Sequence, residues 1–241
     1  MLEQAGLLER LQRWLEDGPR PGLGRPRTVI VGSASDHSSA VAELVAAELM
    51  SVSAADSDAG STLVDREVDA GCDLLLVAAP NGDEIAAIVA IAAFTGEEPV
   101  RAVGFDSRLA DVDWVHRAVT VRDGLRRIDL VGDQASALLS LGDPALATVA
   151  GIVAQAEHRR TPVVLDGLTA VAAAVVVAHF DGLDPKHCLI ATADPRPAAG
   201  MAQRVLGLNP VLDLGRPSGD GVAALLTLPL LRTARLLIAP V

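Results

Sequence analysis

Short aliphatic runs alternate with longer Ala- and Leu-rich segments along this chain, and that alternation constrains its fold more than any other feature. Gly, Pro, Asp and Ser at the boundaries of the runs are typical of buried strands joined to helices. The pattern predicts strands at residues 28–32, 73–79, 100–105, 162–165, 187–191 and 210–213. It predicts helices at residues 39–50, 85–94, 112–125, 145–158, 168–179, 198–206 and 221–235. This order indicates an α/β fold with a Rossmann-like parallel sheet flanked by helices on both faces.

Composition supports that architecture. Half of the 241 residues are hydrophobic, whereas aromatic residues make up only 2%. The core must therefore be built from Ala, Val, Leu and Ile, whose small side chains suit helices packed closely on a parallel sheet. A chain of this length forms one large domain or two small ones. We expect residues 28–241 to form a single α/β domain and residues 1–27 to form an N-terminal helix and a linker.

The N-terminal segment has the pattern of an amphipathic helix. Within residues 5–16, Leu8, Leu11 and Leu15 fall on one helical face, with Trp14 beside them. Residues 18–27 are rich in Pro and Gly, which interrupt regular structure and are typical of a linker. The N-terminus therefore adds a small helical part to the predicted fold.

Charge and hydropathy disfavour several classes of partner. The net charge of −11 is unsuited to a nucleic-acid surface, which needs a basic stripe. The longest apolar runs, such as residues 168–180, are shorter than the roughly 20 residues that span a bilayer. Residues 1–14 mix Glu with Arg and do not read as a signal peptide. We therefore expect a cytoplasmic protein that contacts neither nucleic acid nor membrane.

The two cysteines, Cys72 and Cys188, are far apart in the sequence and match neither a metal-binding nor a redox spacing. Because free cysteines often behave as small hydrophobic residues, both are predicted to be buried thiols. We expect no metal site and no cofactor.

Two segments in the C-terminal part of the chain carry a resemblance to a known family. Residues 159–167 read RRTPVVLDG, and residues 205–231 read VLGLNPVLDLGRPSGDGVAALLTLPLL. They resemble the nicotinate-nucleotide:dimethylbenzimidazole phosphoribosyltransferases, which make the lower-ligand nucleotide of cobalamin. The resemblance is nearly continuous over residues 68–231 and weaker at residues 5–15. It implies a nucleotide and an azole base as small-molecule ligands, and a homodimer.

The resemblance also implies a general base within Gly219-Asp220-Gly221. The family has G-E-G here, and its Glu takes the proton from the benzimidazole nitrogen as that nitrogen attacks the ribose carbon. Asp220 keeps the carboxylate but is one methylene shorter, which matters because a general base must lie within hydrogen-bond reach. The residues alone allow another interpretation, in which Asp220 caps the helix that begins near Val222.

Two other segments match substrate-binding loops of the family. Asp36 and His37 match its D-H-G and would orient a base or a ribose hydroxyl. Alternatively, Asp36 or Ser38 caps the following helix. Asp166 stands in the family's L-D-G, where it either caps the next helix or faces the site.

The glycine-rich loop of the family, G-E-M-G-I-G-N-T-T, is changed in this chain. Only Gly82 remains as a candidate for substrate binding, and Ala78 stands near the acidic position. The neighbouring Asp83 and Glu84 favour helix capping, because carboxylates interact well with a helix N-terminus but repel a phosphate.

A second phosphate loop, G-x-G-T-G in the family, is changed as well. Gly104 remains, whereas Asp106 and Arg108 stand at the later glycines. Arg108 would still offer a bidentate contact to phosphate, and Arg117 keeps positive charge where the family has a Lys.

Other family features are missing. Ala145 replaces an acidic residue, and residues 192–197 replace H-R-S-x-E-P. The segment that builds the benzimidazole-binding floor is reduced to roughly residues 50–65, of which residues 51–61 are predicted to be a mobile surface loop.

Two functions follow, and the sequence leaves catalysis open. The first is a diverged phosphoribosyltransferase. The second is a non-catalytic relative that binds a small ligand or a partner enzyme of corrinoid metabolism. A generic Rossmann-like nucleotide binder ranks below both, because no G-x-G-x-x-G follows a strand. The apolar helix predicted at residues 222–237 needs burial on more than one side, within the chain or against a second copy.

Overall fold

The computed structural model describes residues 6–17, 22–105, 110–128 and 132–238, which form a six-stranded, fully parallel sheet in the order β2-β1-β3-β4-β5-β6. The strands are β1 (Pro26–Val31), β2 (Glu48–Val52), β3 (Leu74–Ala78), β4 (Val163–Asp166), β5 (Cys188–Thr192) and β6 (Pro210–Leu212). The helices are α1 (Leu7–Asp17), α2 (Asp36–Leu44), α3 (Ser57–Asp69), α4 (Glu84–Thr95), α5 (Pro99–Val103), α6 (Asp111–Ile128), α7 (Gln134–Leu141), α8 (Pro144–His158), α9 (Leu168–Asp181), α10 (Pro197–Leu206) and α11 (Val222–Ile238). The predicted α/β class and parallel sheet are confirmed.

Helices cover both faces of the sheet. On one face, α3, α4, α8, α9 and α10 pack over the buried side chains that β1, β3, β4 and β5 direct to this side of the sheet. On the other face, α1, α2 and α11 cover Leu74, Leu76 and Val164. Cys72 and Cys188 are both buried free thiols, as predicted.

Helix α1 packs against α11, so the N-terminal helix covers part of the apolar surface of α11. Leu11 and Leu15 are buried, whereas Leu8 is 36% exposed. The predicted apolar face of α1 is therefore confirmed for two of its three leucines. The division of the chain at residue 27 stays a prediction.

The strand predicted at residues 100–105 is wrong. These residues belong to the short helix α5 and its end, where Glu98 accepts hydrogen bonds from the amides of Arg101 and Ala102. Pro99 occupies the first turn, which suits its restricted φ angle and missing N–H. β3 pairs directly with β4, so the chain between them adds no strand at this point of the sheet.

The region that follows β1 also differs from the prediction. The helix predicted at residues 39–50 begins earlier and ends at Leu44, and the chain then enters the edge strand β2. Ser35, rather than Asp36 or Ser38, is the N-cap, and it forms a reciprocal capping box with Ser38.

The loop predicted at residues 51–61 is also wrong, because it includes the end of β2 and the start of α3. Asp56 caps α3 by accepting a hydrogen bond from the amide of Ala59 at 2.8 Å. Helix α7, for which the sequence pattern predicted nothing, is capped by Asp133 in the same way. In both segments, a stretch of small polar residues therefore contains the N-cap of a helix.

Two glycines allow α3 and α8 to approach each other closely. A Cβ atom on Gly60 would lie 2.8 Å from the amide nitrogen of Ile152, and one on Gly151 would lie 2.7 Å from Ser57 Cα. Real Cβ atoms essentially never approach backbone atoms so closely. The packing of these two helices thus requires glycine at both positions.

We expect Gly151→Ala to destabilise the protein by roughly 1–3 kcal/mol, because the added methyl group must push α8 away from α3. Gly200→Ala is the matched control, since this helical glycine has only Arg204 Nη1 near its missing Cβ, at 3.7 Å. The control should be neutral or stabilising by up to about 1 kcal/mol. Urea unfolding measures both variants, and equal stabilities for the two would contradict the assigned helix packing.

Candidate active site

A polar cleft of about 300 Å³ lies at the carboxyl ends of the strands, where parallel sheets bind ligands. Four loops line it, those that follow β3, β4, β5 and β6. The lining residues are Ala79, Pro80, Gly82, Glu84, Leu168, Thr169, Arg196, Arg216, Pro217, Ser218, Gly219 and Asp220. The cleft therefore contains two carboxylates, two guanidinium groups and two hydroxyl groups.

Asp220 lines this cleft from the loop between β6 and α11. Its Oδ1 atom accepts a hydrogen bond from the amide of Val222 at 3.1 Å, so it also caps the start of α11. Its Oδ2 atom lies 3.8 Å from Nη2 of Arg216. Both interpretations of Asp220 from the sequence are thus compatible, since one oxygen caps the helix while the carboxylate lines the cleft.

Asp166 is fully buried behind the cleft and holds the loop that carries Asp220. One carboxylate oxygen accepts a hydrogen bond from the Ser218 hydroxyl, and the other accepts one from the amide of Ala224 at 3.1 Å. Asp166 therefore caps α11, not the helix that follows it in the chain. Removal from water raises the pKa of Asp166 to about 6, against the opposing effect of these hydrogen bonds.

Glycines bring the loops after β4 and β6 together. Gly167 has a φ angle of +89°, and a Cβ atom there would lie 2.7 Å from the carbonyl oxygen of Ser218. Gly219 lines the cleft beside it, and Gly221 packs against Ile30 at the base of the loop. Of the two glycines that flank Asp220, only Gly219 lies at the cleft surface.

A network of charges forms the opposite side of the cleft. Arg196 Nε donates to Asp194 Oδ1 at 2.8 Å, and Nη2 donates to the second oxygen of the same carboxylate. Glu84 forms an ion pair with Arg117, and its other oxygen lies 3.7 Å from Arg196 Nη1. Burial lowers the pKa of Arg196, but the bonds to Asp194 outweigh it and keep the pKa above its ordinary value. Arg117 is therefore connected to the cleft through its ion pair with Glu84, which lines the cleft.

Gly82 lines the cleft and packs against Thr169, whose Cγ2 atom would lie 2.7 Å from an added Cβ. Asp83 caps α4 by accepting hydrogen bonds from the amides of Ile85 and Ala86, as predicted. The amide of Asp83 donates to Asp143, the cap of α8, at 2.9 Å. Burial raises the pKa of Asp143. This hydrogen bond between Asp83 and Asp143 therefore connects the N-termini of α4 and α8.

Six of the predicted substrate-binding residues in the described part of the chain do not line the cleft: Asp36, His37, Gly104, Arg117, Asp166 and Gly221. Asp36 and His37 are exposed in the first turn of α2, the helix that follows β1. Gly104 ends α5, packs against Pro197, and its carbonyl accepts a hydrogen bond from the indole of Trp114 at 2.6 Å. The assignment of these residues to the site stays a prediction, and Arg108 lies outside the described residues.

Sequence reasoning missed Arg196, Arg216 and Ser218 as cleft residues. All three stand on loops that were recognised as strand ends, in segments 192–197 and 213–221. Their signal was position, because a guanidinium or hydroxyl group just beyond a parallel strand is well placed for a ligand. The resemblance obscured that signal at Arg196, because the family has Glu at this position of H-R-S-x-E-P.

Within the described part of the chain, no group of three or more His, Cys, Asp or Glu residues is arranged to hold a metal ion. The same residues include no helix that is both long enough and apolar enough to cross a membrane.

Comparisons with known proteins agree on one family. A family model described as phosphoribosyltransferase matches residues 34–241. The nicotinate-nucleotide–dimethylbenzimidazole phosphoribosyltransferase of Mycobacterium avium (strain 104) is 42% identical over 181 residues, 73% of this chain and 51% of that relative. Its namesake in Mycobacterium tuberculosis (strain H37Rv) is 38% identical over 178 residues, 73% of this chain and 49% of that relative. The chain thus spans about half the length of the curated relatives it matches.

Solved structures show the same fold. The nicotinate-nucleotide–dimethylbenzimidazole phosphoribosyltransferase of Thermus thermophilus superimposes with a TM-score of 0.82 at 20% identity, over 98% of this chain and 90% of that one. A structure of CobT from the same organism gives a TM-score of 0.77 at 20% identity, over 95% of this chain and 89% of that one. The family match over residues 34–241 includes all four loops of the cleft, and this chain belongs to the nicotinate-nucleotide–dimethylbenzimidazole phosphoribosyltransferase family.

Proposed function

We propose that the cleft transfers a ribosyl phosphate from a nicotinate nucleotide to a base of the benzimidazole type, a step of cobalamin synthesis. The observation that carries the proposal is the position of Asp220, a carboxylate on the cleft surface. It stands within Gly219-Asp220-Gly221, the segment that resembles the G-E-G of the family. The names of the curated relatives supply the two substrates.

The chemistry requires one proton acceptor and no redox partner. The nitrogen of the azole base attacks the anomeric carbon of the ribose, forming one C–N bond. The C–N bond to nicotinate breaks, and its electron pair stays on the pyridine nitrogen. The proton on the attacking base passes to Asp220, whose Oδ2 atom is not used by the bond to Val222. Asp166 keeps the loop in place through Ser218 and Ala224.

Purified protein supplied with nicotinate mononucleotide and dimethylbenzimidazole tests this proposal. We expect nicotinate to be released in a one-to-one ratio with the new nucleoside phosphate, both measured by liquid chromatography. The proposal fails if neither product forms and neither substrate raises the melting temperature.

A non-catalytic role is the second candidate. Its supporting observation is the use of Asp220 as a helix cap. Under this alternative the protein binds a small ligand or a partner enzyme of corrinoid metabolism in the cytoplasm. Ligand-induced stabilisation without turnover, or co-elution with such an enzyme, would favour it over the first proposal.

We also propose a homodimer. Leu236 and Leu237, in the last turn of α11, are 75% and 58% exposed. Exposed aliphatic side chains at the end of a helix that otherwise packs in the core offer apolar area to a second copy. Sedimentation velocity at micromolar concentration measures the mass directly, and a monomer at all concentrations would contradict the proposal.

A further inference from the structure

The phosphate-binding loops of the family are not available at this cleft, yet the proposed substrate carries a phosphate. Gly104, which remains from one of those loops, packs against Pro197 and does not line the cleft. Gly82, which remains from the other, lies beside the carboxylate of Glu84, which repels an anion. A ribosyl phosphate bound here needs a different source of positive charge.

Arg216 meets that need. It lines the cleft with 62% of its side chain exposed, and within the described residues its guanidinium donates no hydrogen bond. Its nearest carboxylate, on Asp220, lies at 3.8 Å, beyond hydrogen-bond distance. All of its N–H groups are therefore free to bind a ligand, and a guanidinium binds a phosphate through two parallel hydrogen bonds.

Arg196 adds a second, fixed cation. Asp194 holds two of its nitrogens, which orients the guanidinium, while Nη1 has only Glu84 nearby at 3.7 Å. Unlike Arg216, Arg196 is partly buried, so its charge is less screened by water. Arg196 also stands at the position where the family has Glu in H-R-S-x-E-P, which reverses the charge at this point of the cleft.

The first turn of α9 completes the surroundings. Gly167, its N-cap, provides no side-chain hydrogen bond to the turn, and the next two residues, Leu168 and Thr169, line the cleft. The free amides of a helix N-terminus favour a negative group in front of them. This turn faces the same cleft as both arginines.

We propose that Arg216, assisted by Arg196 and the first turn of α9, binds the phosphate of the ribosyl phosphate. This inference rests on the proposed function and replaces the glycine loops of the family with guanidinium groups from the loops after β5 and β6. It also gives Arg216 a role in the proton transfer. When the phosphate draws Arg216 away, Asp220 loses its nearest cation and is left to accept a proton.

Calorimetric titration of the whole chain with ribose 5-phosphate, with ribose, and with nicotinate tests the assignment. We expect Arg216→Gln to weaken ribose 5-phosphate binding by about 10- to 100-fold, since hydrogen bonds between charged groups are lost. Ribose and nicotinate binding should change by less than about 2-fold, because neither carries a phosphate. Arg204→Gln is the matched control, because this arginine is 67% exposed and lies outside the cleft.

The outcomes separate this inference from the proposed function. Unchanged ribose 5-phosphate affinity in Arg216→Gln, or an effect confined to nicotinate, overturns the phosphate assignment. A wild-type protein that does not bind ribose 5-phosphate overturns it as well. If ribose 5-phosphate binds through Arg216 but no nicotinate is released, the phosphate site stands and the transferase proposal fails. In an active enzyme, Arg216→Gln should raise KM for the nucleotide more than it lowers kcat.

Discussion

Asp220→Asn is expected to lower kcat/KM for nicotinate release by about 10²- to 10⁴-fold, the usual contribution of a general base. The amide has the size of the carboxylate and still accepts the hydrogen bond from Val222, so the cap of α11 is preserved. It cannot take a proton from the attacking nitrogen. Initial rates measured by chromatography, with circular dichroism to verify the fold, provide the measurement.

Two further variants serve as controls for the effect of Asp220→Asn. Asp213→Asn changes a carboxylate of the same connecting segment, which accepts a hydrogen bond from Gly215 and lies outside the cleft, and its rate should stay within about 2-fold. Asp220→Glu restores the length that the family uses and should keep measurable activity. A wild-type rate in Asp220→Asn would remove Asp220 from the chemistry.

The second large effect concerns stability and pH. The pKa of Asp166 is about 6 in the folded protein, above the ordinary value of an aspartate, because burial disfavours its charged form. The folded state therefore binds this proton more tightly than the unfolded chain. The resulting stability is fully present below about pH 4 and is lost as the pH rises through 6. The difference in the pKa of Asp166 between the folded and unfolded states corresponds to about 3 kcal/mol.

Asp166→Asn removes this titration while keeping the shape of the side chain. We expect the unfolding free energy of the wild type, relative to Asp166→Asn, to fall by about 3 kcal/mol between pH 4 and pH 8. Urea unfolding at several pH values gives the difference, in which the other titrating groups cancel. Parallel curves for the two proteins would show that Asp166 does not titrate in this range.

The fold was predictable from local patterns to a large extent. The segments that became β1, β3, β4, β5 and β6 are aliphatic runs between Gly, Pro and polar residues, and α4, α8, α9, α10 and α11 follow them with helical length. Errors arose where a tertiary contact decided the conformation. Residues 100–105 have strand composition, yet the helix α5 (Pro99–Val103) forms here and packs against α4, α6 and α10.

The site was predictable only in part. Asp220 and Asp166 were identified from motifs, and both lie at the cleft or directly behind it. Whether Asp166 faced the site or capped the next helix was undecidable from sequence, because its partners Ser218 and Ala224 are 52 and 58 residues away. Arg216 was also missed, because its position after β6 did not show that its loop would share a cleft with the loops after β3, β4 and β5.

The amino-acid sequence by itself determined the parallel α/β architecture and the edge of the sheet at which the cleft lies. The periodicity of hydrophobic residues and the composition of loops depend on residues that are close in the sequence, so both can be recognised without coordinates. Only the tertiary structure decided which strand-end loops share one cleft, because that depends on the order β2-β1-β3-β4-β5-β6. This order brings the loops after β3, β4, β5 and β6 together and leaves Asp36 and His37, after β1, outside the lining. It also buries Asp166 beneath the Asp220 loop, and burial raises the pKa of that carboxyl group.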